Sequence, residues 1–129
     1  MLDTGKAYSG FAVDDFAKAK DFYGETLGLN VEVVDRGQQL LQLNLERGQP
    51  ILIYTKPGFT PANYTILNFP VSDVEATVDE LTANGVEFER YEGFDQDSKG
   101  IAPGGEGRGP TIAWFTDPSG NVLSVIERD

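Results

Sequence analysis

Hydrophobic positions along the chain change period several times, and each change marks an element. Residues Tyr8 to Val13 alternate with period two, as a half-buried strand does. Phe16, Ala19, Phe22, Tyr23 and Leu27 then fall on one face of a helix expected over about Asp15 to Leu27. Gly28 ends it where a left-handed residue is needed. Strands are expected over Asn30 to Asp35, Gln39 to Leu45 and Pro50 to Thr55. A second helix opens on Ser72-Asp73-Val74-Glu75, read as a capping box in which the Ser72 hydroxyl and the Glu75 carboxylate satisfy free amides reciprocally. Its buried stripe is Val74, Val78 and Leu81, and Asn84-Gly85 stops it. Val86 to Tyr91, Thr111 to Thr116 and Asn121 to Glu127 complete the strands, with Asp117-Pro118-Ser119-Gly120 carrying type I turn chemistry between the last two.

The order of elements repeats, and so do the residues. Phe11, Val13 and Asp15 recur as Phe69, Val71 and Asp73 at one constant offset. Gly48, Ile51 and Ile53 recur at a larger offset as Gly120, Leu123 and Val125. One unit of strand, helix and three strands has been used twice.

Phe11-Ala12-Val13-Asp14-Asp15 leading into Ala19-Lys20-Asp21-Phe22-Tyr23 and Gly28-Leu29, with Trp114 to Leu123 near the C-terminus, resembles the vicinal oxygen chelate superfamily of glyoxalase I, extradiol dioxygenases and bleomycin and fosfomycin resistance proteins. The resemblance covers about Ala7 to Glu127. It implies an α+β fold of two βαβββ modules, about residues 7–55 and 64–127 of one domain over 1–129, whose mixed sheets curl into a cup. It also implies a second subunit beside the cup. A homodimer is therefore expected, the more so because Phe59 and Phe94 would otherwise leave apolar groups facing water.

Strand parity sorts the side chains. Phe11, Val13, Leu41, Leu43, Leu45, Ile51, Ile53, Phe69, Val71, Leu123 and Val125 share the parity that the apolar helix stripes need. The opposite parity is then assigned to the cup: Tyr8 and Gly10, Gln42 and Asn44, Leu52 and Tyr54, Ile66 and Asn68, Ile112, Trp114 and Thr116, Ser124 and Ile126. Aromatic bodies with amide and hydroxyl handles and no charge are the make-up of a small-molecule pocket.

The resemblance further implies that the family's metal ligands fall at Tyr8, Leu52, Ile66 and Ser124. Divalent metals want imidazole or carboxylate, whereas Leu and Ile have no lone pair and Ser and neutral Tyr are weak donors. The chain contains no histidine and no cysteine. No metal and no other cofactor is expected. A general acid or base is equally hard to find, since the assigned cup floor offers only Tyr8 and Tyr54, each of which serves as readily as wall and hydrogen-bond handle.

Composition narrows the classes further. A chain of 129 residues can bury enough surface for a core without staples. The absence of cysteine excludes disulfides and a thiol nucleophile. No apolar run reaches the length of a membrane span and Met1 to Lys6 do not read as a signal peptide, so a cytoplasmic protein with no membrane partner is expected. The net charge of −11 opposes nucleic acid. It serves solubility, and it also attracts cations.

The second module differs from the first by an insertion between Arg90 and Pro110. Loops of this length are functional lids or solvated connectors. As a flap, it would bring Phe94 as an apolar plug and Asp95, Asp97 and Glu106 as an acidic rim; its glycines lack the lysine and strand-to-helix context of a phosphate loop. A shorter loop, Lys56 to Asn63, joins the modules.

Two functions remain open. One is a metal-free binding protein that sequesters an amphipathic small molecule such as an antibiotic, with Trp114, Tyr8 and Tyr54 stacking, Gln42, Asn44, Asn68 and Ser124 orienting, Leu52 and Ile66 lining, and Phe94 covering. The alternative is a glyoxalase-type lyase or isomerase, acting through a tyrosine or through a metal held elsewhere.

Overall fold

The computed structural model describes residues 1–128. The chain divides into two compact units, Met1–Pro61 and Ala62–Asp129.

The first unit contains β1 (Gly10–Val13), α1 (Phe16–Asp21), β2 (Asn30–Asp35), β3 (Gln39–Asn44) and β4 (Ile51–Thr55), its sheet ordered β1-β4-β3-β2. The second contains β5 (Thr65–Val71), α2 (Val74–Ala83), β6 (Ile112–Thr116) and β7 (Val122–Glu127), ordered β5-β7-β6. In each, the strand before the helix pairs in parallel with the last strand, and the remaining pairs are antiparallel. Register is the same in both: Phe11 lies opposite Ile53 as Phe69 lies opposite Val125. The architecture is α+β with mixed sheets, as the repeated residues led one to expect. Among the described residues no helix is long and apolar enough to cross a membrane.

The core follows parity. Val13, Leu41, Leu43, Ile51 and Ile53 are buried in the first unit, and Ala113, Phe115, Leu123 and Val125 in the second. Both helices pack on that face, Ala19 and Tyr23 supplying the first core and Val74 and Val78 the second. Removing such side chains from water contributes roughly 1.5–3 kcal/mol each. Leu45 departs from the expectation: β3 ends at Asn44, and Leu45 is exposed beyond it.

The helices differ from the reading of the sequence in two respects. α1 does not run to Leu27, because after Asp21 the backbone widens into a π-helical turn over Phe22–Thr26, closed by the Leu27 N–H donating to the Phe22 carbonyl. The wide turn seats Tyr23 fully inside, its ring against both Phe11 and Phe22. α2 is capped by Asp73 and not by Ser72; the Asp73 carboxylate accepts from the Ala76 N–H at 3.0 Å, just as Asp15 accepts from Lys18 in α1. A carboxylate also suits the positive end of the helix dipole. Gly28 and Gly85 close the two helical segments with φ of 68° and 95°, values that side chains with a Cβ rarely adopt.

The strand expected over Val86 to Tyr91 is reduced to one bridge, Phe88 opposite Phe115, with the Glu89 N–H donating to the Trp114 carbonyl at 2.8 Å. It stops there because Ala102 takes both backbone groups of Ile112, the next place along β6, while Gln96 takes those of the departing segment. The Gln96 amide accepts from the Tyr91 N–H and donates to the carbonyls of Glu89 and Gly100, all within 2.9 Å. The Tyr8 to Val13 strand begins at Gly10, which leaves Tyr8 outside the sheet.

Candidate functional site

On the face of the first sheet away from α1, register sets Glu32, Gln42, Leu52 and Gly10 in one row across four strands. The amides there satisfy one another. Gln42 donates to Asn44, and Asn44 donates to Asn30 and to the Glu32 carboxylate at 2.8 Å. Tyr54 lies on the same face, opposite Ala12 in the parallel pair. Tyr8 stands apart, 58% exposed.

The corresponding row of the second sheet is Asn68, Ser124 and Trp114. Ser124 is fully buried and its hydroxyl donates to the Asn68 side-chain oxygen in a short hydrogen bond. Ile66 falls in a β-bulge between Thr65 and Leu67 where the register shifts. Trp114 is half-buried beneath two rings from the inserted segment: Phe94, with centroids 4.9 Å apart, and Tyr91, at 5.5 Å, both edge-to-face. Tyr64, 68% exposed, completes an aromatic hollow of about 420 Å³ with Asn63, Thr65 and Val122.

The inserted segment is tied down rather than free. Gln96 holds its first turn, as above. The Asp97 carboxylate accepts from the Lys99 and Ile101 N–H groups at 2.9 Å, and Ile101 is buried. Lys99 reaches Asp79 at 2.9 Å and Glu75 at 3.4 Å on α2, and hydrogen bonding to Asp79 is the main reason its ammonium titrates above the ordinary lysine value. Arg108 pairs with Asp95. Asp97 is therefore a bracket for the loop and not part of an acidic rim. Phe94 does lie on Trp114, and 55% of it remains exposed.

Glu89 follows the Phe88 bridge, and its N–H is bound to the Trp114 carbonyl. It is half-buried, accepts from the Thr116 hydroxyl at 3.2 Å, and pairs with no lysine or arginine among the described residues. Burial, and secondarily the Glu89 charge, push the Tyr91 phenol above its ordinary range. Tyr91 is thus a neutral phenol at neutral pH, able to donate a hydrogen bond and too weak an acid to give up its proton.

Tyr64, Tyr91 and Asn63 were not among the residues assigned to a site by parity. Tyr91 reads as an edge strand in the sequence, and Tyr64 precedes β5; neither carries a periodic signal. A larger hollow of about 720 Å³ lies by Pro70, Gly109, Pro110, Ile126, Glu127 and Arg128. It has no aromatic wall, so the smaller one is the better candidate for a flat or amphipathic ligand.

The sequence profile of the Glyoxalase/Bleomycin resistance protein/Dioxygenase superfamily matches residues 7–125. The chain belongs to that superfamily. No curated protein matches it. Among solved structures it is similar to TnmS3, an antibiotic binding protein from Streptomyces sp. CB03234, at 23% identity over 100% of this chain and 99% of that one, with a TM-score of 0.71. A glyoxalase/bleomycin resistance protein/dioxygenase superfamily member from Sphaerobacter thermophilus DSM 20745 aligns at 21% identity, 99% and 100% coverage and a TM-score of 0.70. UcmS2 aligns at 19% identity, 98% and 100% coverage and a TM-score of 0.74. Identities this low establish the shared vicinal oxygen chelate fold.

Superfamily membership raises the question of a metal, and the residues do not fit one. Leu52 and Ile66 offer no donor atom, Ser124 has its hydroxyl engaged by Asn68, and Tyr8 lies outside its strand. Among the described residues no group of three or more His, Cys, Asp or Glu side chains is placed to hold a cation.

Proposed function

We propose that the protein binds and sequesters a small amphipathic molecule without a metal, in the hollow around Trp114. The observation that carries this reading is the aromatic wall itself. Rings from β6, from the inserted segment and from the residue before β5 converge on one concave site, which few sequences expose without a use for it. Large rigid rings supply contact area while losing little rotamer entropy. The likeness in fold to TnmS3, an antibiotic binding protein, supports an antibiotic-like ligand, and the aromatic wall favours a flat, polycyclic one. The donor-poor positions 8, 52, 66 and 124 speak against metal-dependent lyase or isomerase chemistry.

Trp114 is the only tryptophan, so intrinsic emission reports on this site alone. A panel of polycyclic antibiotics and tricyclic dyes is titrated against that emission before and after dialysis with a chelator. Saturable quenching by at least one polycycle, unchanged after chelation, is expected. Turnover of hemithioacetals that depends on added metal, with no binding in the panel, would replace this reading with a glyoxalase-type one.

A further inference from the structure

The charges of the chain are unevenly divided. The second unit carries thirteen Asp and Glu against four Lys and Arg, and the first carries eight against six, so nine of the eleven net negative charges belong to the unit with the aromatic hollow. Its four cations are placed elsewhere. Lys99 is engaged by Asp79 and Glu75, Arg108 by Asp95, Arg90 lines a separate hollow beside Asp79, and Arg128 lines another with Glu127. None of them lines the aromatic hollow.

Inside that field, four ring faces and edges surround a space with one neutral amide, Asn63. Glu89 is not itself part of the lining but stands beside it, its N–H on the Trp114 carbonyl and its carboxylate fixed by the Thr116 hydroxyl two residues along β6, with no basic partner among the described residues. Ring quadrupoles attract cations within about 6 Å of a centroid, most strongly for Trp. An acidic surface raises the local cation concentration and speeds encounter. An anion would be opposed by Glu89 and by the net charge of the unit, and a neutral ligand would gain from Glu89 a hydrogen bond at most, without the attraction between full charges.

We infer that the ligand of the Trp114 hollow is a cation with an apolar body, a quaternary ammonium or protonated amine whose charge lies against the rings on the side toward Glu89. This rests on the binding reading above and specifies the class of ligand. It also accounts for why a protein with an exposed aromatic wall keeps its basic groups paired or turned to other surfaces.

The test titrates Trp114 emission with benzyltrimethylammonium and with an isosteric pair, choline and its neutral carbon analogue 3,3-dimethylbutan-1-ol. Benzyltrimethylammonium is expected to give a saturable change, and choline to bind at least tenfold more tightly than the neutral alcohol. Glu89→Gln retains an acceptor for the Thr116 hydroxyl; it is expected to weaken both cations at least fivefold, leave the alcohol unchanged and leave the melting temperature of the free protein within about 2 °C. Equal affinity for choline and the alcohol, or cation binding indifferent to Glu89→Gln, would overturn the inference. If neutral polycycles still quench Trp114 in that case, the binding reading stands and the charge assignment alone is wrong. If no probe of either charge changes the emission, both fail.

Discussion

In the first unit, the middle row on the sheet face away from the helix reads Glu32, Gln42, Leu52 and Gly10; in the second, the same register positions read Trp114, Ser124 and Asn68. The buried rows behind them hardly differ in character: Leu43 and Ile51 in one, Phe115 and Leu123 in the other, all buried. A sheet that packs a helix on one face is constrained there by volume and hydrophobicity, while its other face is free to change. The first unit has used that freedom for an amide network closed on itself, and the second for a tryptophan roofed by an inserted segment. Duplication thus kept the core twice and specialised one open face.

If the cores are equivalent, breaking either should be comparably severe. Phe115→Ala removes a fully buried ring that packs against Phe88 and is expected to cost about 3–5 kcal/mol, and Leu43→Ala about 2–5 kcal/mol. Denaturant titration checks both. A loss below about 1 kcal/mol at either site would show that the two cores are not the same device.

The inserted segment has no counterpart in the first unit, so its clamp should matter to one unit only. Gln96→Ala leaves the Tyr91 N–H and the Glu89 and Gly100 carbonyls without their partner, at an expected cost of about 1–3 kcal/mol. Because Tyr91 and Phe94 are then no longer held on Trp114, Trp114 emission should shift to the red in the free protein. An unchanged emission maximum would mean that the rings hold themselves in place.

The helix caps test the repeat at its smallest scale. Asp15→Ala and Asp73→Ala are each expected to cost about 1 kcal/mol, and Ser72→Ala close to nothing. A larger loss for Ser72→Ala than for Asp73→Ala would restore the capping box.

Smallest of all is the contribution of Tyr91 to the dependence of stability on pH. Its folded-state pKa is raised by burial and by Glu89, so the folded state favours the protonated phenol. The stabilisation is present in full below the unfolded tyrosine value of about 10 and is lost as pH rises through the higher folded value. Tyr91→Phe should remove one tyrosine's amplitude from the late part of the absorbance titration near 295 nm; an unchanged late amplitude would contradict the shift.

Much of this was legible in the sequence, because period and repetition are one-dimensional signals. The offset that relates Phe11, Val13 and Asp15 to Phe69, Val71 and Asp73 set the modules, and parity placed Trp114 beside Ser124 and Asn68. The same offset pointed to Asp73 as the cap, although Ser72 with Glu75 matched a better-known pattern. What was not legible arises where a side chain replaces a backbone partner. Gln96 binds the backbone of Glu89 and Tyr91, and Ala102 takes the place on β6 that the strand expected over Val86 to Tyr91 would have used; Tyr91 then rests on Trp114. The bulge at Ile66 and the π-helical turn at Phe22 are likewise set by packing and leave no periodic mark.

The account stands on the claim that the ligand belongs to the second unit. Isothermal calorimetry with the tightest polycycle from the panel, on Trp114→Ala and on Gln42→Ala, its counterpart in the first unit, tests that claim beside the melting temperature of each free variant. Trp114→Ala is expected to weaken binding by about 2 kcal/mol or more, as loss of an aromatic anchor does, while Gln42→Ala leaves affinity within about twofold. A steep stability loss in Trp114→Ala with unchanged affinity per folded molecule, or an equal loss of affinity in Gln42→Ala, would contradict it.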